Sequence, residues 1–378
     1  MNTFSNDVIC SKTYTDLRIS LAHNTFQFCC KAKAEKLQLI SWNDIIYSPG
    51  ITKRREDSIN GIRNNQCDFC WKTDSQYKNI FNTYLDIPEN PFESIDYLEI
   101  YCDNICNLSC LYCNADFSSM IAKEKNYNAP FMTNRHNIED IGNFLIEIIN
   151  NKEIKLAFAG GEPTLSKTYH QLIQYLIKHV PEKKVYLCTT TNGIINNACK
   201  KKILSYMEKT SWKWVWGFSG EAKGNVFNQI RFHGNYKIWL ENLVDFSLNK
   251  NTDIINFNPA INIFSIKTLP DFFSDVLSIV QDRKYAISGN TVILPPEFSI
   301  YYLPISFNTY IKNAKEIFLH KSKNCVNIDS VLRWFTELSK MLGQKKYNYD
   351  LLNHSLENLN NQKENKLNVD LLLNQTIL

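Results

Sequence analysis

The chain has 378 residues, 44% of them hydrophobic, and its formal net charge is only +4. With a pI near 8.3, this balance is too mild to indicate nucleic acid or an anionic membrane surface as a partner. No run of about 18 apolar residues predicts a membrane-spanning helix. The opening MNTFSNDVICSKTYTD lacks the basic end and apolar stretch of a signal peptide. We therefore expect a cytoplasmic protein with reduced thiols.

The first third of the chain holds nine of its twelve cysteines, several of them separated by short fixed gaps. In a reducing compartment, such clustering favours metal ligation over disulfides. The isolated residues Cys188, Cys199 and Cys325 are expected to be inert thiols.

The predicted elements begin with a stretch of about 90 residues that Gly, Asn, Ser and Pro make turn-rich and irregular. The segment PENPF, ending at Phe92, is interpreted as a linker between a small Cys-rich module (1–92) and a region of alternating strands and helices. The predicted strands of that region are Ile95–Tyr101, Ile154–Ala159, Lys184–Thr190, Lys213–Phe218, Ala260–Phe264 and Thr291–Leu294. Apolar stripes at helical spacing, starting at Ile138, Tyr169, Ile238 and Phe272, predict helices between them.

This alternation predicts an α/β fold with a parallel sheet. Six such units would form a partial, open (β/α)6 barrel over residues 93–306, followed by a helical C-terminal extension over 307–378. In the fourth strand, Trp212, Trp214 and Trp216 share one face, opposite Ser219. If Ser219 faces the barrel interior, the tryptophans pack against helices as core.

A cysteine triplet, C-x-x-x-C-x-x-C, follows the first predicted strand at Cys106, Cys110 and Cys113. Three thiolates on one tight loop can hold three irons of a 4Fe–4S cube and leave the fourth iron open for a small ligand. A structural zinc site normally has four protein ligands, and Cys102 could supply the fourth.

About 45 residues later, at the next strand end, comes FAGGEP, from Phe158 to Pro163. The triplet and this turn, in this order, resemble the radical S-adenosylmethionine (SAM) superfamily. The resemblance implies an open iron that chelates SAM, with the Gly-Gly-Glu-Pro turn on the amino group of its methionine. It assigns SAM-binding roles to Tyr112, Gly160, Gly161, Glu162, Ser219, Arg231 and Asn262. Glu221 stands where relatives often carry an Asp and is the candidate catalytic carboxylate.

The cysteines before residue 92 resemble the N-terminal segment of radical SAM proteins with a twitch domain. In both, one cysteine precedes a Cys-Cys pair, and a stretch with an Arg leads to C-x-x-C. The resemblance implies an auxiliary 4Fe–4S cluster, with a structural zinc site as the alternative. The candidate ligands are Cys10, Cys67, Cys70 and one of Cys29 and Cys30.

The family resemblance also implies the chemistry. One electron from the reduced cluster, supplied by a donor such as flavodoxin or ferredoxin, cleaves SAM to methionine and a 5′-deoxyadenosyl radical. The radical abstracts a hydrogen atom from substrate, and the leading hypothesis for the substrate is a ribosomally synthesised peptide that is cross-linked, oxidised or epimerised. The alternatives are a small-molecule dehydrogenase or mutase and, from another class, a non-catalytic iron–sulfur or zinc-binding module.

Overall fold

The computed structural model describes residues 2–4, 8–37, 42–72, 85–87, 94–126, 136–346, 348–363 and 366–376. The predicted linker ending at Phe92 lies outside these residues. The chain divides into two compact units that interleave along the sequence. Unit 1 comprises Met1–Asp103, Met132–Cys188 and Ile203–Lys213, and unit 2 comprises Asn104–Phe131, Thr189–Lys202 and Trp214–Leu378. Within the described ranges, no helix has the length and apolar character needed to cross a membrane.

Strands and helices alternate through the middle of the chain. The described strands are β1 (Asn2–Phe4), β2 (Asp16–Ser20), β3 (Thr25–Gln27), β4 (Glu35–Lys36), β5 (Leu85–Ile87), β6 (Tyr97–Tyr101), β7 (Ile154–Ala159), β8 (Val185–Thr191), β9 (Lys213–Phe218), β10 (Thr252–Phe257), β11 (Ala260–Ile261), β12 (Tyr285–Ile287) and β13 (Asn290–Thr291). The described α-helices are α1 (Lys12–Thr15), α2 (Pro49–Ile59), α3 (Asp68–Lys72), α4 (Ser119–Glu124), α5 (Ile138–Asn151), α6 (Lys167–His179), α7 (Asn197–Glu208), α8 (Gly224–Ile230), α9 (Tyr236–Leu248), α10 (Leu269–Val280), α11 (Asn308–Lys321), α12 (Ile328–Met341), α13 (Tyr349–Gln362) and α14 (Val369–Asn374). The four predicted apolar stripes fall on α5, α6, α9 and α10, which confirms those helices.

Unit 1 is built on parallel strands extended by antiparallel ones. β2, β6 and β7 run parallel, with Ile19 opposite Ile100 and Ile100 opposite Phe158. β3 pairs antiparallel with β2, β4 with β3, and β1 with β5. Phe158 is fully buried, and its ring packs edge-on against Tyr169 of α6 at 5.1 Å between centroids. Helices covering buried parallel strands in this way define an α/β fold.

Unit 2 contains the parallel strands β9, β10 and β12, with Trp216 opposite Ile255 and Ile255 opposite Tyr285. Trp214 and Trp216 are fully buried, and the Trp216 ring lies 4.4 Å from that of Phe246 on α9. The prediction that the tryptophan stripe packs as core is therefore confirmed. The α/β class with a mostly parallel sheet is likewise confirmed, while the closing of the sheet into a partial barrel stays a prediction.

The last two predicted strands are wrong. The strand beside β9 is β10 (Thr252–Phe257), not Ala260–Phe264, and the strand beyond it is β12 (Tyr285–Ile287), not Thr291–Leu294. Only β11 and β13 form in the predicted segments, where they pair with each other. The Asn and Asp residues in and around NTDIINFNP resemble loop sequence, which concealed β10.

The prediction of an irregular N-terminal region is also wrong in part, because β2 and α2 are regular. Ser48 caps α2 by accepting from the Ile51 N–H at 3.3 Å, and Pro49 stands in its first turn. The helix buries Arg54, Asp57 and Ser58 besides Ile51. Its inward face is thus largely polar, so no apolar stripe marked it in the sequence.

Candidate functional site

The cysteine triplet lies in unit 2, on the loop that follows β6. The Cys113 N–H donates to the Cys110 carbonyl at 3.1 Å, which closes a tight turn between these two residues. The Cys106 N–H donates to Ser119 Oγ at 3.1 Å, which fixes the start of the loop against α4. The three cysteines are partly buried and carry free thiols.

The Cys106 sulfur accepts two hydrogen bonds. The Leu108 N–H donates at 3.4 Å and the side-chain amide of Asn192 at 3.7 Å. The same Asn192 amide donates to Asn107 Oδ1 at 2.8 Å, which fixes its orientation. Donors of this kind stabilise a thiolate. Sequence reasoning did not select Asn192, although its place just after β8 marks it as a candidate.

Burial dominates the electrostatics of the loop. It raises the pKa of the Cys110 thiol above its usual range; the Arg231 charge opposes this, and neighbouring Cys113 and Cys106 add to it. Burial also raises the pKa of Cys113. Both thiols therefore keep their protons at neutral pH until a metal displaces them.

The arrangement of the three loop thiols distinguishes between a single zinc ion and a 4Fe–4S cube as the group they could hold. No three His, Cys, Asp or Glu side chains in the described ranges form a group that could hold a metal ion. A single zinc ion needs all its sulfur ligands at about 2.3 Å. Each cysteine of a 4Fe–4S cube binds a different iron, so its sulfurs need not converge on one point. Three thiols on one short loop therefore fit a cube better than one ion.

The alternative fourth ligand, Cys102, belongs to unit 1, whereas the triplet belongs to unit 2. Cys102 is buried, which raises the pKa of its thiol well above the usual range. The negative charge of Asp103 adds a smaller increase.

A buried ion pair lies beside this loop in unit 2. Arg231 donates from Nε at 3.1 Å and from Nη2 at 2.7 Å to Glu221 Oε2. The Tyr112 hydroxyl donates to Glu221 Oε1 at 2.9 Å, and the Arg231 guanidinium lies 5.9 Å from the Tyr112 ring centre. Glu221 is fully buried and Arg231 is 4% exposed. Three predicted site residues are thus brought together on one carboxylate.

Two other predicted site residues, Ser219 and Asn262, also lie in unit 2. The Ser219 N–H donates to the Thr191 carbonyl at 2.9 Å, and the Ser219 carbonyl accepts from Trp239 Nε1 at 3.1 Å. The Asn262 side-chain amide donates to the Ala260 carbonyl at 3.0 Å, and its Oδ1 accepts from the Phe264 N–H at 3.1 Å. These bonds hold Asn262 in a turn after β11.

The Gly-Gly-Glu-Pro turn follows β7 in unit 1. Gly160 has a φ of +128°, and a Cβ there would lie 2.8 Å from the Asp103 carbonyl oxygen. The Gly161 N–H donates to that same oxygen at 3.0 Å. Only glycine tolerates this conformation and this close approach. The turn therefore needs glycine at residue 160.

Glu162 is fully buried at the end of this turn. Its Oε1 accepts from the Thr164 N–H at 3.1 Å and from Thr164 Oγ1 at 2.6 Å. The Thr164 carbonyl accepts from His170 Nε2 at 2.9 Å, which ties the turn to α6. The carboxylate is thus held in one orientation.

The N-terminal cysteines lie in unit 1, where Cys10, Cys29 and Cys67 are buried, Cys70 is half-buried and Cys30 is exposed. Burial raises the pKa of Cys10 to about 11, and Cys29 and Cys67 add to the shift. Burial also raises the pKa of Cys70. The neighbouring Cys29 and, to a smaller extent, Cys67 raise it further. Cys29 and Cys67 thus act electrostatically on both Cys10 and Cys70, and Cys29 is the buried member of the pair at residues 29 and 30.

Sequence reasoning missed a polar network on the cysteine loop, within unit 2. Lys363 Nζ donates to the Ser109 carbonyl at 3.1 Å, to Ser109 Oγ at 2.9 Å and to Glu124 Oε2 at 3.1 Å. Ser109 Oγ donates in turn to Glu124 Oε1 at 2.8 Å. Lys363 lies in a segment rich in Asn and Lys, and nothing in that composition indicated a buried lysine.

No family model matches the chain. Among curated proteins, it is 25% identical over 214 residues to the radical SAM cyclopropyl synthase TigE of Paramaledivibacter caminithermalis. The match covers 54% of this chain and 43% of the relative, so the chain spans less than half of that protein.

Solved structures give weaker likenesses. Hexahistidine-tagged anSMEcpe with bound AdoMet matches with a TM-score of 0.46 and 19% identity, over 63% of this chain and 65% of that chain. SuiB of Streptococcus suis bound to the precursor peptide SuiA matches with a TM-score of 0.44 and 11% identity, over 86% and 72%. At these TM-scores the structural likenesses carry no argument. The curated relative is described as a radical SAM enzyme, and its similarity to this chain is limited to that 25% identity over part of both chains.

Proposed function

We propose that the chain is a radical SAM enzyme whose Cys106, Cys110 and Cys113 hold a 4Fe–4S cluster with one open iron. When bound, the reduced cluster supplies the electron that cleaves SAM, and the resulting 5′-deoxyadenosyl radical takes a hydrogen atom from substrate. The observation that carries this proposal is the loop itself. It presents three free thiols within eight residues, and the Cys106 sulfur accepts hydrogen bonds from the Leu108 N–H of the loop and from the side-chain amide of Asn192.

Arg231 is the residue we assign to the carboxylate of SAM. Glu221 accepts from Nε–H and from one N–H of Nη2, so Nη1 and the second N–H of Nη2 remain for a second carboxylate. Glu221 then acts by holding the guanidinium and the Tyr112 hydroxyl in place. A guanidinium fixed in this way loses little further freedom when it binds a ligand.

The Gly-Gly-Glu-Pro turn is assigned to the amino group of SAM. Its support is the fixed, buried carboxylate of Glu162 and the glycine conformation at residue 160. A buried carboxylate suits an ammonium group because the low dielectric strengthens their attraction. Ser219 and Asn262 are assigned to SAM on the sequence resemblance alone.

The N-terminal cysteines are assigned to an auxiliary 4Fe–4S cluster, with Cys10, Cys29, Cys67 and Cys70 as ligands. Relatives with such clusters often modify ribosomally synthesised peptides, and we propose a peptide substrate on that ground. An electron donor such as flavodoxin or ferredoxin would reduce the first cluster. A small-molecule dehydrogenase or mutase is the second candidate, and a peptide encoded beside this chain would favour the first.

The test is SAM cleavage after anaerobic reconstitution. Replacing Cys106, Cys110 and Cys113 with Ala should abolish formation of 5′-deoxyadenosine under reductant, because the cube with an open iron cannot form. The matched control replaces the three isolated thiols Cys188, Cys199 and Cys325 with Ala and should keep the activity. Undiminished 5′-deoxyadenosine from the first variant would overturn the proposal.

A further inference from the structure

Arg54 is a buried cation beside the N-terminal cysteines. It lies on α2 and is fully buried. Its Nε donates to the Cys67 sulfur at 3.0 Å, and its positive charge acts on the Cys10 thiol. The guanidinium therefore reaches into the group formed by Cys10, Cys29 and Cys67.

The two terminal nitrogens of Arg54 distinguish it from the other cations of α2. In the described part of the chain, neither Nη1 nor Nη2 has a hydrogen-bond partner, although both are buried. The neighbouring Arg55 instead donates to the Thr13 and Ile46 carbonyls, and Lys53 is exposed and pairs with Asp57. Of these three cations, Arg54 alone has buried N–H groups without a partner.

Such a side chain needs an anion. Burying charged N–H groups without partners is strongly unfavourable, and native proteins rarely leave such groups unpaired. Neutral thiols are weak acceptors and do not meet the need. Thiolates bound to metal carry negative charge and accept hydrogen bonds at sulfur. The unmet donors therefore indicate an anionic group among the cysteines.

We propose that Arg54 donates through Nη1 and Nη2 to the iron–sulfur group held by Cys10, Cys29, Cys67 and Cys70, and that it raises the reduction potential of this group. The inference rests on the auxiliary cluster of the proposed function. Reduction adds a negative charge, and a fixed cation in a low-dielectric pocket stabilises the reduced form more than the oxidised form. Arg54 is thus a positioning and tuning residue.

The experiment isolates the N-terminal group in the full-length chain. The parent is the variant with Cys106, Cys110 and Cys113 replaced by Ala, so that any remaining cluster belongs to unit 1. Into it are introduced Arg54→Met, Arg54→Lys and, as a control that removes a cation from the same helix, Lys53→Met. Iron, zinc and sulfide are measured, and the midpoint potential is taken by redox titration followed by electron paramagnetic resonance.

The expected result is a lower midpoint potential in Arg54→Met, a value nearer the parent in Arg54→Lys, and no change in Lys53→Met. If Arg54→Met does not assemble a cluster, Arg54→Gln decides, because it keeps N–H donors without the charge. A lower potential in Arg54→Gln supports the inference, and the parent's potential in it overturns the inference.

Failure of the underlying assignment looks different. A parent that contains zinc and no sulfide overturns the auxiliary cluster, and this inference with it. A parent with iron and sulfide whose potential is unaffected by Arg54→Met and Arg54→Gln overturns only the role of Arg54.

Discussion

Glu221 and Arg231 form a buried pair in which Oε2 of the carboxylate accepts from both Nε and Nη2 of the guanidinium. Removing one partner of such a pair leaves the other charge buried and uncompensated, which costs about 3–5 kcal/mol. A single substitution of either residue therefore changes both stability and SAM binding. A double variant that removes both charges distinguishes the two effects.

We expect Arg231→Met to lose both stability and SAM affinity, and the double variant Arg231→Met, Glu221→Gln to recover much of the stability but none of the affinity. Loss of a charge-assisted contact to the SAM carboxylate should weaken binding by about 1.5–3 kcal/mol. Denaturant unfolding and calorimetric titration of the reconstituted protein measure the two effects. SAM affinity restored in the double variant would place the carboxylate contact elsewhere.

The second prediction concerns Gly160, where both the backbone and the space forbid a side chain. Gly160→Ala should destabilise the protein because its Cβ would meet the Asp103 carbonyl at 2.8 Å. Gly61→Ala is the matched control, because Gly61 also has positive φ, at +71°, but open space around it. The control should cost only about 1–2 kcal/mol. Equal losses in urea unfolding would show that the close approach is unimportant.

The third prediction concerns the metal content of unit 1. With Cys106, Cys110 and Cys113 replaced by Ala, the chain should still bind about four irons and four sulfides, the content of one cube. Adding Cys67→Ala and Cys70→Ala should remove them. In the otherwise unchanged chain, the Cys67 and Cys70 substitutions should spare SAM cleavage but impair conversion of substrate. One zinc and almost no sulfide in the first variant would contradict the auxiliary cluster.

The fourth prediction concerns Lys363. Lys363→Met should speed the loss of iron from the cysteine loop to a chelator, because it removes three hydrogen bonds that hold Ser109 and Glu124. Lys366→Met is the matched control, since Lys366 is exposed and its ammonium group donates to the Asn360 carbonyl of its own segment. Iron release is followed by absorbance in the background lacking Cys67 and Cys70. Equal rates of iron release in both variants would contradict a role of Lys363 in holding the cysteine loop.

Local sequence patterns predicted the parts of the site that lie close together along the chain. Cys106, Cys110 and Cys113 share one loop, so their spacing marked them as a metal site, whereas Gly160 and Glu162 share one turn that was assigned from the family resemblance. Strand β10 was missed because its polar flanks outweighed its apolar residues.

Arg54 and Lys363 were missed for another reason. Both are cations buried against residues far away in the sequence, and neither helical periodicity nor composition indicates burial of this kind. Arg54 is recognised in the structure by its buried N–H groups that lack a partner. Lys363 is recognised by its hydrogen bonds to a loop far away in sequence.

Lys363 and Ser109 are 254 positions apart in the chain. At a synthesis rate of about 5–20 residues per second, the ribosome needs roughly 13–50 s to add the intervening residues. During that interval the segment between Cys106 and Cys110 is already made, but it lacks the lysine that later anchors it. Iron and sulfide delivered to a nascent chain would therefore meet a cysteine loop without its final support. A cluster held as proposed by Cys106, Cys110 and Cys113 would gain this support once Lys363 has left the ribosome and docked.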